Sequence, residues 1–244
     1  MGAVEELNTE ADTVESSESA PTQKMSLVKQ VLHWLRETMF VVVLAIALSV
    51  ILRTFFFQAF YVPSESMMQT LQLNDRILVS KLSYTFGDIH RGDVIVFTDP
   101  GGWLDKPTKQ QGLRGKITEI FTFVGLLPAN SGTDLVKRVI GIPGDRVQCC
   151  TDNGRISVNG VEINEKEYVN GDTNQVVFDI TVPEGRLFVM GDNRGSSSDS
   201  RFHLTDVSGT IPMDNVVGQV VMRVWPLDRF STMIAPTIFA ILGD

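Results

Sequence analysis

Hydrophobic positions follow two different rhythms along the chain. From Met39 to Leu52 no residue carries a charge, and after Arg53 the run resumes as Thr54, Phe55, Phe56 and Phe57. As a helix this 39–57 stretch would span about 28 Å, close to the roughly 30 Å of a bilayer's hydrocarbon. Arg53 falls in the last turn and a half, where its guanidinium can extend to the headgroups. Phe55, Phe56, Phe57, Phe60 and Tyr61 suit an interfacial aromatic belt. A cleaved secretory signal would be shorter and followed by small residues, whereas bulky aromatics follow here and no A-x-A appears. A buried core helix is the other structure such a run allows.

Beyond residue 58 the apolar runs are short, rich in Val and Ile, and separated by turn residues. Segments 77–79, 94–97, 135–142, 146–150, 176–180, 187–190 and 216–224 read as strands. Residues 156–163 alternate apolar and polar positions around Asn159-Gly160, the pair a type I′ hairpin turn requires. These patterns predict a mainly β fold: an antiparallel β-sheet domain over 58–230, anchored by one N-terminal transmembrane helix. Two stretches differ. Ile117, Ile120, Phe121, Val124 and Leu127 recur at helical spacing, predicting a short amphipathic helix that either dips into the membrane surface or packs on its own domain. Residues 233–242 are apolar again. Ten residues cover only about 15 Å as a helix, so this part of the 231–244 tail is expected to dock on the domain or lie at the interface.

Charge changes the picture at the N-terminus. The net charge is −8, and residues 1–23 hold six acids and no base, leaving −2 for the rest. Such a tail buries too little apolar surface to offset its ordering entropy and is expected to be disordered. The near-neutral remainder offers no basic stripe for phosphates, which argues against a nucleic-acid partner. Lys24, Lys29 and Arg36 precede the span in the 24–38 juxtamembrane segment, and after Arg53 the next base is Arg76. The positive-inside rule then places the tail in the cytoplasm and the β domain outside. The tail also lacks the Ser or Thr of a myristoylation signal. The only cysteines, Cys149 and Cys150, are adjacent. They cannot staple distant segments, a bond between them would be strained, and they read as two ordinary strand residues. No zinc spacing occurs, and neither metal nor cofactor is expected.

The chemistry is narrowed first by what is missing. There is no G-x-S-x-G elbow, Walker loop, dinucleotide glycine pattern or H-E-x-x-H. An S-x-x-K match at Ser26–Lys29 lies on the cytoplasmic flank of the span and lacks a Lys-Thr-Gly partner. His33 precedes the span, His90 sits in a polar turn, and His203 stands near a Ser-rich segment. A serine can instead be activated by a lysine, provided burial keeps the amine neutral. Lys137, inside an apolar strand, fits that need, although an edge-strand lysine guarding against aggregation reads the same way. Arg138 beside it would face the opposite side. Ser66, in Pro63-Ser64-Glu65-Ser66-Met67-Met68 just past the span, suits a nucleophile, with its own N–H and the Ser64 hydroxyl facing an oxyanion. A helix N-cap would look similar. The loop from Gly191 to Arg201 is dense in small polar groups and could orient the lysine, or be a plain turn.

Together these segments resemble the bacterial type I signal peptidase family (leader peptidase, peptidase S26). The 63–68, 75–79, 91–97, 137–145 and 191–201 segments resemble its boxes in order, after one span. The resemblance implies that Ser66 is the nucleophile, Lys137 the general base, Ser64 a side-chain oxyanion donor, and Ser197 the serine that positions the lysine. It implies bracing roles for Asp192, Arg138, Asp199 and Arg201. It implies a membrane-bound serine endopeptidase in a bacterial cytoplasmic membrane. Such an enzyme cuts exported preproteins after small residues through an acyl-enzyme, with preproteins and the lipid bilayer as partners. Glu65 stands where Gly is commoner, Gly195-Ser196 replaces a more polar pair, residues 100–133 look like an insertion, and a second subdomain looks reduced to about 150–180. Two rivals share some of these features. A self-cleaving Ser/Lys repressor would be soluble with a DNA-binding module, and a non-catalytic anchored β domain would keep its function without Ser66 or Lys137.

Overall fold

The computed structural model describes residues 27–82, 89–104, 132–169 and 176–243. The acidic 1–23 tail, the amphipathic 117–127 stretch and most of the 100–133 insertion lie outside them. The chain divides into two compact units, 1–44 and 45–244.

Helix α1 covers Leu27–Phe55, 29 residues, and its 27–52 portion is long and apolar enough to cross a membrane. It begins twelve residues before the span drawn from sequence, because the amphipathic 27–38 flank (Lys29, His33, Arg36, Glu37) continues the same helical turns. It ends two residues earlier. Phe57–Tyr61 forms strand β1, paired antiparallel with β2 (Arg76–Ser80), so these aromatics are strand residues before they are a belt. Phe60 is buried in the core, while Phe55 and Phe57 remain exposed.

Within the second unit two antiparallel sheets carry the fold. The larger contains β1, β2, β3 (Val94–Thr98), β4 (Asp134–Gly141), β9 (Arg186–Met190), β10 (Ile211–Pro212), β11 (Val216–Trp225) and β12 (Ser231–Thr232). Its order is β1-β2-β11-β3-β4-β9-β10, with β12 on β11. The smaller, β7-β6-β5-β8, is built from β5 (Arg146–Cys149), β6 (Ile156–Val158), β7 (Val161–Glu162) and β8 (Phe178–Thr181). All seven sequence-predicted strands are present within about two residues.

The large sheet is covered on both faces, which explains why β3 reads as an unbroken apolar run. Val94 and Val96 join Phe60, Met67, Leu71 and Ile77 on one side, whereas Ile95 and Phe97 join Val139, Val189 and Ile211 on the other. The 156–163 hairpin turns through Asn159 (φ 53°) and Gly160 (φ 80°), the two left-handed residues of a type I′ turn. The C-terminal stretch docks on the domain: a 3₁₀ helix, Thr237–Leu242, buries Phe239 in the core of the small sheet, 5.8 Å from the Tyr168 ring.

Cys149 and Cys150 depart from the reading as ordinary strand residues: a disulfide joins them. β5 ends at Cys149, so Cys150 is released from strand alternation and can turn back to its neighbour. Neighbouring residues close no loop, so the bond constrains little of the unfolded chain.

Candidate active site

β4 runs in the middle of the large sheet and places two consecutive basic side chains on opposite faces. In register Lys137 opposes Ile95 and Arg138 opposes Val94. Lys137 therefore lies on the same side as Ile95, with Leu135 and Val139 two positions away along β4. It is 2% exposed.

The nucleophile candidate is brought to it by a chain of tight turns after β1. Met68 N–H donates to the Glu65 carbonyl, and Thr70 and Leu71 both donate to the Met67 carbonyl. Met67 and Leu71 are anchored in the core, which leaves Ser66 on the turn above the sheet. Its Oγ lies 2.6 Å from Lys137 Nζ, and Ser64 Oγ lies 3.2 Å from Ser66 Oγ. Ser66 is buried and Ser64 exposed.

Burial is the main influence on the lysine and pushes its amine from the ordinary 10.5 down to about 8, with Arg201 acting the same way and Asp199 and Asp192 opposing. While charged, the ammonium donates to the Ser66 hydroxyl. Once neutral it can accept the hydroxyl proton across the same 2.6 Å.

The 191–203 loop encloses the pair. Asp192 accepts two bonds from Arg138, Nε at 2.8 Å and Nη2 at 2.6 Å, and one from Thr70 Oγ1 at 2.5 Å. Burial works against the Arg138 charge, but the Asp192 carboxylate outweighs it and raises its pKa. Asp199 pairs with Arg201 (Nε, 2.9 Å) and accepts the Gly191 N–H at 2.9 Å. Asn193 N–H donates to the Ser66 carbonyl at 3.0 Å, fastening the loop to the backbone of the nucleophile candidate.

Gly191 makes this approach possible. A Cβ there would lie 2.2 Å from Ser197 Oγ and 2.4 Å from the Ser66 carbonyl oxygen. Ser197, expected to orient the lysine, is buried beside Gly191, but its Oγ makes no hydrogen bond to Lys137 or to any other described group.

The remaining sequence-selected residues fall into the supporting structure. Arg91 pairs bidentately with Asp145, both at 2.7 Å, and Asp75 receives Arg229 at 2.9 Å. The histidines have other neighbours. His33 faces Glu37 on α1, and His90 is exposed near Asp93. His203 stacks on Trp103 at 4.4 Å and reaches exposed Ser198 at 3.2 Å. Reading the sequence missed Glu165, Tyr168 and Arg194. Tyr168 lies with its ring 4.6 Å from the Arg138 guanidinium. Among the described residues no cluster suits a metal ion.

The profile of the family described as signal peptidase, peptidase S26, matches residues 34–225. The signal peptidase I of Mycobacterium tuberculosis H37Rv is 36% identical over 249 residues, covering 92% of this chain and 83% of that one. A probable signal peptidase I of Mycobacterium leprae is 38% identical, covering 78% and 75%. The signal peptidase I of Bacillus caldolyticus is 34% identical, covering 77% and 90%. With a family match over most of its length and relatives of this closeness, the chain belongs to the signal peptidases of family S26.

Proposed function

We propose that this signal peptidase works through a Ser66/Lys137 dyad and an acyl-enzyme. The family makes it a serine endopeptidase that removes signal peptides. The observation that carries the mechanism is the 2.6 Å approach of a buried lysine to a serine hydroxyl. Ser66 Oγ attacks the scissile carbonyl while its proton passes to Lys137 Nζ. Collapse of the tetrahedral intermediate expels the new amino terminus, which takes that proton. The signal peptide stays esterified to Ser66. Water then attacks the ester and gives a proton to Lys137; collapse of the second tetrahedral intermediate expels Ser66 Oγ, which takes that proton back, and the signal peptide leaves as a carboxylic acid. The Ser66 N–H and Ser64 hydroxyl would stabilise the oxyanion, and Ser197 would orient the amine when substrate binds. Arg138, Asp192, Asp199 and Arg201 brace the loop.

The substrates are exported preproteins, cut after small residues of the A-x-A type. Helix α1 anchors the enzyme in a bacterial cytoplasmic membrane, with 1–38 on the cytoplasmic side and the 58–230 domain outside. There the apolar part of a signal peptide already resides, so anchoring raises the effective substrate concentration.

Cleavage of a signal-bearing preprotein by purified protein tests this reading. Ser66→Ala and Lys137→Ala are expected to lose processing while remaining folded. Activity that survives Lys137→Ala but is lost in Ser198→Ala or His203→Ala would move the chemistry to the Ser198–His203 contact instead.

A further inference from the structure

A buried ion pair that the mechanism above does not use links the loop after β9 to the turn after β7 of the small sheet. Arg194 is fully buried, and all three of its guanidinium nitrogens are committed. Nη1 and Nη2 donate to the two carboxylate oxygens of Glu165 at 2.7 and 2.6 Å. Nε donates to the Gly191 carbonyl at 2.9 Å. Glu165 opens the 3₁₀ turn Glu165–Glu167 that follows β7 of the small sheet, and it also accepts the Tyr168 hydroxyl at 2.8 Å. The Tyr168 ring in turn covers Arg138, the partner of Asp192.

Gly191 has little room to move. Its N–H is held by Asp199 and its carbonyl by Arg194, while the Ser66 carbonyl and Ser197 occupy the space a side chain would need. A planar guanidinium fixed on one edge by a two-oxygen carboxylate has one orientation for its third donor. The plane set by Glu165 therefore sets where the Gly191 carbonyl sits, and with it the strand end that faces Ser66 and Lys137.

We propose that Glu165, acting through Arg194, is a positioning residue for the Ser66/Lys137 reaction, holding Gly191 against the nucleophile's backbone. The proposal rests on the dyad reading. Neither side chain contacts Ser66 or Lys137, and Tyr168 completes the link to Arg138. The small sheet thus acts as a second support for the catalytic loop.

Two variants test this. Arg194→Lys keeps the charge paired with Glu165 but cannot hold Glu165 and Gly191 together in one plane. The double variant Glu165→Gln/Arg194→Gln removes both charges, so no isolated buried ion remains. Kinetics on a signal-bearing peptide are read per active site titrated with an acylating inhibitor, which counts only folded dyads. We expect kcat to fall about tenfold or more in both variants with KM within about twofold, since loose geometry costs the chemical step. Wild-type kcat per titrated site in either folded variant would overturn the proposal, as would a loss confined to KM. Should the double variant fail to fold, Arg194→Lys alone decides. Lys137→Ala measured alongside separates the two ideas: retained activity there refutes the dyad, whereas loss there with unchanged Arg194→Lys refutes only the positioning role.

Discussion

At the scale of single residues, the proposed chemistry depends on one amine removed from water. With its pKa near 8, roughly a tenth of Lys137 is neutral at pH 7. The expected kcat/KM rises about tenfold per pH unit below 8 and levels off above it. A profile with its midpoint near 6.5 would point to a histidine. The same burial works against the fold. The folded pKa lies below the unfolded 10.5, so the unfolded state binds more protons between about pH 8 and 10.5, and stability rises with pH across that window. The penalty is full below pH 8. Lys137→Met is therefore expected to raise the unfolding free energy at pH 7 by as much as ~3 kcal/mol and to flatten this rise, as urea titrations at pH 7 and 10 would show. Gly191 carries the opposite risk. Its missing side chain admits a backbone oxygen that cannot move aside. Gly191→Ala should lower kcat by about a hundredfold, because a shift near 1 Å at the nucleophile has that effect. Activity within tenfold of wild type would show the loop to be more compliant than its contacts suggest.

At the scale of elements, most of what forms is local. The 156–163 hairpin follows from Asn-Gly at its tip, and β3 follows from a run of β-branched residues covered on both sides. β1 was hidden because its aromatics continue the apolar helix without a break in composition. Only its antiparallel register with β2, Phe57 opposite Ser80 through Tyr61 opposite Arg76, separates strand from helix. The C-terminal 3₁₀ helix was open for a related reason: a ten-residue apolar run does not say what it will cover. Phe239 answers that by filling the space between Gly92 and Tyr168. Phe239→Ala should cost about 3 kcal/mol in urea unfolding, the range for an emptied aromatic site. A cost below about 1 kcal/mol would mean that the tail only rests on the surface.

At the scale of the whole molecule, the proposed function gives placement to one helix and chemistry to one β domain. The proposed orientation rests on Lys24, Lys29 and Arg36 near the start of the helix and on the lack of a base between Arg53 and Arg76. Protease added to intact spheroplasts should remove a tag at the C-terminus and spare one at the N-terminus. The reverse pattern would overturn the outside placement of the catalytic domain.

The sequence by itself determined the apolar helix and the place of seven strands and one hairpin, and it singled out Ser66, Lys137, Asp192, Asp199 and Arg201 as candidates. These are written in local periodicity and in short segments whose order along the chain is preserved. Only the tertiary structure decided that Ser66 and Lys137, 71 positions apart, lie 2.6 Å from each other. Only it showed that Ser197 Oγ makes no hydrogen bond among the described residues, that Cys149 and Cys150 are joined, and that Arg194 of the 191–203 loop pairs with Glu165. Each of these depends on how two distant segments approach in space. Hydrogen-bond geometry and desolvation are properties of that approach, and a one-dimensional pattern does not carry them.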